Sequence, residues 1–208
     1  MPAPEVAPVH THETTKTLGH VLSSLRLPHQ KTDDTTTSLR AITRNLLATG
    51  TPSLAAAFTA AARSRLRQTS AKRIATTNGL FTTSHNGIHA IPTPELDNAL
   101  ARARSLYGAG MGFASLSILS SIVKATVGLR WEEDGGMADV LAVIDADISQ
   151  AIQSCKEELE GGRNDTAVAQ EAISNLWSGI EESARDVEIW GGEFPYDRAS
   201  NSIECWKI

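Results

Sequence analysis

Apolar side chains recur every three to four positions along most of this chain, the spacing that puts them on one face of an α-helix. Residues 1–13 lack that pattern and are proline-rich, so they read as a mobile tail ahead of one α-helical domain, 14–208. From Thr14 to Leu27, the positions Leu18, Val21, Leu22 and Leu25 form a first stripe, and Pro28 ends it. A second stripe, Leu39, Ile42, Leu46 and Leu47, stops at Gly50. Thr51-Pro52 then supplies an N-cap and a first-turn proline for a third helix, whose face holds Leu54, Ala57, Phe58, Ala61, Ala62 and Leu66. Small residues on that face predict a close approach to a neighbouring helix.

The period is lost between Thr69 and Pro92. Asn78-Gly79 and Asn86-Gly87 are turn signals, and the stretch reads as the longest loop, with a short hairpin over Gly79–Ile91. Thr93-Pro94 repeats the helix-start chemistry, and the helix it opens runs to about Tyr107, where Gly108, Gly110 and Gly112 interrupt it. The next segment, 111–127, is almost wholly apolar and is expected to be the central, buried helix. Two amphipathic helices follow. One spans about 137–159, with Met137, Val140, Leu141, Ile144, Ile148, Ala151, Ile152 and Cys155 on its stripe, and ends at Gly161-Gly162. The other begins after Asp165 as N-cap, carries Ala169, Leu176, Ile180, Val187 and Trp190, and ends at Gly191-Gly192. A short last helix, about 196–206, would pack Ala199, Ile203 and Trp206 onto the rest. The expected fold is therefore all-α, a compact bundle of about six or seven helices. The echo between Thr51-Pro52-x-Leu54 and Thr93-Pro94-x-Leu96 follows from shared N-cap physics, since no third copy makes it a repeat array.

Composition supports helices: only 5% of the 208 residues are aromatic, leaving Leu, Ile, Val and Ala to build the core. Two cysteines, Cys155 and Cys205, make no disulfide framework and fit a reducing compartment. The start shows neither a basic region nor an apolar run of the secretory kind, so a cytoplasmic location is expected. The uncharged run Tyr107–Val123 is short for a membrane span and carries four serines and three glycines, so no membrane partner is expected. At the end, Lys207 occupies the slot that prenylation motifs fill with an aliphatic residue.

Charge alters the picture more. The net value of −5 hides a basic half, 14 Lys/Arg against 6 Asp/Glu up to Arg130, and an acidic half, 5 against 18 beyond it. The simplest reading packs basic helices against acidic ones within one fold. An anion-binding role would rest on Arg63, Arg65, Arg67, Lys72 and Arg73, but no aromatic residues interleave there to stack bases, so nucleic acid is not the expected partner.

Candidate chemistry is sparse. His85 and His89 are four apart, a metal-binding spacing on a helix, but Asn86-Gly87 between them favours a turn, and no third ligand accompanies them. They remain candidates for acid–base catalysis in a loop. Asp145 and Asp147 flank the apolar stripe of their helix on opposite sides, each about 80° from its centre, as solvated boundary residues of which Asp145 is the candidate acid or base. Gly108-Ala109-Gly110-Met111-Gly112 lacks the strand and the lysine of a phosphate loop and reads as a close-packed helix junction, though a helix start there offers free N–H groups to an anion. Tyr107, Trp131 and Trp177 are candidate walls of an apolar ligand pocket. No metal or cofactor motif is present.

Two functions remain in view. One is binding of a small apolar molecule, with metal- and nucleotide-independent acid–base chemistry of the cyclisation, isomerisation or elimination type. The other is a protein-interaction or self-associating module using opposed basic and acidic faces, with a homo-oligomer as its natural form.

Overall fold

A computed structural model describes residues 32–70, 79–85 and 87–206. The tail 1–13, the helix 14–27, Lys72, Arg73, the turn residues Asn78 and Asn86, and the Lys207 slot all fall outside the described residues. Among those described, the fold is α-helical with one small hairpin. The elements are α1 (Thr32–Thr49), α2 (Pro52–Ser70), β1 (Phe81–Thr83), β2 (Ala90–Pro92), α3 (Pro94–Gly108), α4 (Gly112–Thr126), α5 (Gly136–Glu160), α6 (Thr166–Trp190) and α7 (Asp197–Glu204). No described helix is long and apolar enough to cross a membrane.

Two compact units divide the chain, one up to Ala55 and one from Ala56 to Ile208. In the first, α1 begins at Thr32, seven residues before Leu39, the first apolar position of its stripe. The Gly50 N–H closes its end on the Leu46 carbonyl at 2.9 Å. The Thr51 hydroxyl accepts from the Leu54 N–H at 3.3 Å, so the expected cap of α2 is made.

The larger unit holds the core. Helix α4 packs against α3, α5 and α6, and α7 closes on α5 and α6. Leu116, Leu119, Ile122 and Val123 of α4 are essentially inaccessible, as are Leu141, Ile144, Ile148 and Ile152 of α5 and Leu176 of α6. The expected central position of α4 is thus observed, with one departure: Ser117, Ser121 and Lys124 form a strip that stays at least partly open to solvent. The three polar residues lie at i, i+4 and i+7, a face that apolar packing leaves uncovered.

Glycine decides the junction before α4. A Cβ on Gly112 would come within 2.7 Å of the Ser154 carbonyl carbon and 2.8 Å of the Cys155 Cα, so only glycine lets the two backbones touch there. Gly110 turns the chain with φ +71°. The free N–H of Phe113 is met from within the protein by the buried Glu158 carboxylate at 3.3 Å, and Asn164 holds the other Glu158 oxygen at 2.9 Å. The anion that a helix start attracts is supplied by the chain itself.

The hairpin over Gly79–Ile91 is present, with Phe81 opposite Pro92 and Thr83 opposite Ala90. Thr93 has the extended backbone of an N-cap, but its hydroxyl makes no cap bond. It donates instead to the carbonyls of Gly79 at 2.6 Å and Leu80 at 3.0 Å, tying the hairpin to the start of α3. Asp165 does cap α6, accepting from Val168 N–H at 2.9 Å, and Gly191 ends that helix with φ +77°. The two Thr-Pro helices differ in fate: Leu96, Leu100 and Ala103 of α3 are buried, whereas Leu54, Ala57, Phe58 and Ala61 of α2 are exposed. Only the end of the expected α2 face is covered: Ala62 and Leu66 are half-buried, Leu66 against the core. An apolar stripe shows which side would be covered, not that a cover is present.

Candidate functional site

The expectation that Asp145 and Asp147 are solvated boundary residues is overturned, since both are buried. A carboxylate leaves water at tolerable cost only when its oxygens are hydrogen-bonded, and each of these is. Asp147 accepts from Arg104 Nε at 2.9 Å, pairs with Arg104 Nη2 at 2.7 Å, and accepts from the Tyr107 hydroxyl at 3.0 Å, pinning α3 to α5. Tyr107 is therefore half-buried in this clamp, and burial together with the Asp147 bond raises its phenol above its ordinary pKa. Asp145 accepts from Ala199 N–H at 2.8 Å and Arg198 N–H at 3.2 Å, capping the start of α7 from the side of α5. Burial pushes its carboxyl above the usual range, against the pull of those two N–H groups and of the Arg198 charge.

Asp145 and Trp131 come together in one place, the only expected site residues shown to share a wall. A cleft of about 370 Å³ opens between the segment before α5, α5 itself and the turn before α7. Trp131, Phe194 and Pro195 form its apolar wall, and Asp145 lies at its inner side. Glu133, Asp139, Glu193 and Asp197 stand exposed around it with Arg198, so that with the buried Asp145 five carboxylates face one guanidinium. Trp131 is held edge-on to Trp190, ring centres 5.0 Å apart, and Arg130 lies 5.4 Å over the Trp190 ring. Arg130 in turn grips Asp186 of α6 at 2.8 and 3.2 Å, and Gly128 N–H reaches the same carboxylate at 2.9 Å. The wall is thus braced by an ion pair joining the basic and acidic halves, as Arg104–Asp147 does elsewhere.

Neighbouring residues alternate in direction here. Trp131 and Glu133 line the cleft, while Glu132 lines a hollow of about 360 Å³ with His89, Ile91, Pro92 and Met137. The His89 ring presents Nδ1 to Glu132 Oε1 at 3.1 Å, which orients the imidazole. His85 does not join it. His85 is exposed in the hairpin turn, where Gly87 adopts φ +70° and its N–H bonds the Ser84 carbonyl at 2.8 Å. Among the described residues, no group of three or more His, Cys, Asp or Glu converges as metal ligands would. Trp177 is half-buried against the core and lines neither the cleft nor the hollow.

Sequence reasoning missed Arg104, Arg198, Phe194 and Glu158. Arg104, Arg198 and Glu158 each gain a role from a partner roughly forty to fifty residues away, and Phe194 from a cleft built by distant segments, so no local spacing announces them. Arg63 shows the same: it donates to the Ala109 carbonyl at the end of α3 at 2.8 Å, a structural use for part of the basic patch. Set against known protein families, characterised proteins and solved structures, the chain matches none of them.

Proposed function

We propose that this is a small-molecule-binding helical protein whose ligand is an organic cation of the polyamine class, held in the cleft beside Trp131 and Asp145. The observation that carries this reading is the lining: a concavity large enough for a small metabolite, with carboxylates from three chain segments converging on it and an aromatic wall. The ligand class differs from the apolar molecule expected from sequence, because the rim is built by loop and helix-start residues that hydrophobic periodicity does not report. Like charges gathered around one cleft raise the local concentration of a cation, and each ammonium–carboxylate bond is worth more than a neutral one.

Calorimetric titration with spermidine at low salt tests the reading. Binding is expected to weaken about tenfold or more in the double variant Asp139→Asn, Glu193→Gln, as loss of charged hydrogen bonds at ~1.5–3 kcal/mol requires. Absence of binding, or indifference to that variant, would remove it. Acid–base chemistry would belong to a molecule seated in the neighbouring hollow instead, where Glu132 orients the His89 ring.

A second reading, self-association, draws support from α1. Leu39, Ile42 and Leu46 lie at i, i+3 and i+7 on one face and are 37%, 47% and 47% exposed.

A further inference from the structure

Two arginines from distant parts of the chain meet at the turn between α3 and α4. Arg63 reaches it from α2, and Arg163 from the turn between α5 and α6. Gly110 bends the chain there with φ +71°. A Cβ built on it would lie 3.5 Å from Arg163 Nη2, 3.9 Å from Arg63 Nε and 4.0 Å from Arg63 Nη2. Both guanidinium groups therefore come within 4.0 Å of a single point. Each is held in place. Arg63 Nε donates to the Ala109 carbonyl at 2.8 Å, which anchors the group and leaves its two terminal nitrogens to other partners. Arg163 folds over Gly161, where a Cβ would come within 2.7 Å of its Nη1 and 3.4 Å of its Cζ, so glycine at 161 gives the guanidinium its seat.

Like charges side by side repel, and an anion between them removes the repulsion. The protein supplies none: among the described residues, neither Arg63 nor Arg163 forms an ion pair. Arg104 and Arg130 show the contrast, paired to aspartates at 2.7 and 2.8 Å. The buried Glu158 carboxylate is committed elsewhere, to the Phe113 N–H and the Asn164 amide. Arg163 is exposed and Arg63 half-buried, so a solute can reach both. In a chain of net charge −5, two unpaired guanidiniums at one point make a local positive field.

We infer that this turn binds the phosphate group of a small soluble metabolite, as free phosphate or as a phosphomonoester. Its oxygens bridge Arg63 and Arg163. Charge-assisted N–H···O bonds run about 2.7–2.9 Å, and a tetrahedral anion offers oxygens in several directions, so one group accepts from both arginines at once. The planar guanidinium fork matches two oxygens of such an anion. A carboxylate, with one charge and two oxygens in one plane, satisfies one fork and leaves the other short. The residues are separate from those of the acid-lined cleft, so cation binding there and phosphate binding here stand or fall independently.

The test is a 15N–1H correlation titration of the full chain with inorganic phosphate, with glycerol 3-phosphate and with acetate, at matched ionic strength. Phosphate or its monoester is expected to shift the Gly110, Gly161 and Gly162 amide signals and the Arg63 and Arg163 Nε–H signals saturably. Acetate is expected to bind at least about tenfold more weakly. A tighter response to glycerol 3-phosphate would assign the site to a phosphomonoester, and a tighter response to inorganic phosphate to the free ion. Arg163→Gln, with the folded spectrum retained, is expected to weaken binding about tenfold. Arg65→Gln, which removes the same charge from an α2 arginine outside the pair, is expected to weaken it less than about twofold. No saturable shift up to ~20 mM phosphate, an equal response to acetate, or equal losses in Arg163→Gln and Arg65→Gln would each overturn the inference.

Discussion

The two thiols occupy opposite surroundings. Cys155 is wholly buried on the α5 stripe, and burial, reinforced by the nearby Glu158 charge, pushes its thiol well above the ordinary range. Cys205 is exposed after α7. The thiolate is the reactive form, so titration of the native protein with a disulfide reagent should consume one thiol quickly and the second only after denaturation. Prompt reaction of both would contradict the packing of α5. Asp145 and Asp186 make a second contrast at this scale. Burial holds the Asp145 carboxyl above its ordinary value of 3.8, so its contribution to stability is full below that value and declines as pH rises through the raised one. Burial acts on Asp186 in the same direction, but the Arg130 guanidinium and the Gly128 N–H outweigh it and hold that carboxyl low. Its contribution is full above the ordinary value and is lost as pH falls through the lowered one. Urea unfolding across acid pH should therefore show opposite trends. The stability difference between wild type and Asp145→Asn narrows as pH rises, and that between wild type and Asp186→Asn narrows as pH falls. Parallel trends would contradict one assignment.

At the scale of the elements, one residue governs how closely α4 and α5 approach. Gly112 sits against the backbone of Ser154 and Cys155, which cannot rotate away as a side chain can. Gly112→Ala should cost about 3 kcal/mol in chemical denaturation, the upper end of what overpacking a core costs. A loss under ~1 kcal/mol would mean that the helices are less closely packed than described. The elements themselves were largely legible beforehand. The stripe from Met137 to Cys155 is buried except at Val140, which is half-buried, and Asp165 and Gly191 bound α6 as cap and stop. The Gly79–Ile91 hairpin followed from turn chemistry. Thr93 was legible as a position but not as a bond: its hydroxyl serves the hairpin, a partner that lies beyond the helix start.

At the scale of the whole molecule, charge and exposed apolar surface compete to explain association. The ion pairs Arg104–Asp147 and Arg130–Asp186 show basic-half residues meeting acidic-half residues inside one chain, which uses up part of the opposition between the halves. Self-association through Leu39, Ile42 and Leu46 would instead persist at high salt, since screening weakens charge contacts and leaves apolar ones intact. Light scattering across a concentration series should then show a mass rising above 22.2 kDa in high and low salt alike, and Ile42→Lys should return it to the monomer value. A monomer under all conditions would end that reading.

The sequence by itself determined the helices, their ends and which side of most of them turns inward, because those follow from residue propensities and contacts within a few positions. It also located the central helix, since an apolar run has nowhere else to go. Tertiary structure alone decided that Asp145 and Asp147 are buried, that carboxylates from 133, 139, 193 and 197 ring one cleft, and that the Ser120 hydroxyl is buried without a partner. Those facts depend on which helices become neighbours and at what distance. Each is a relation between residues far apart in the chain, and no local pattern carries such a relation.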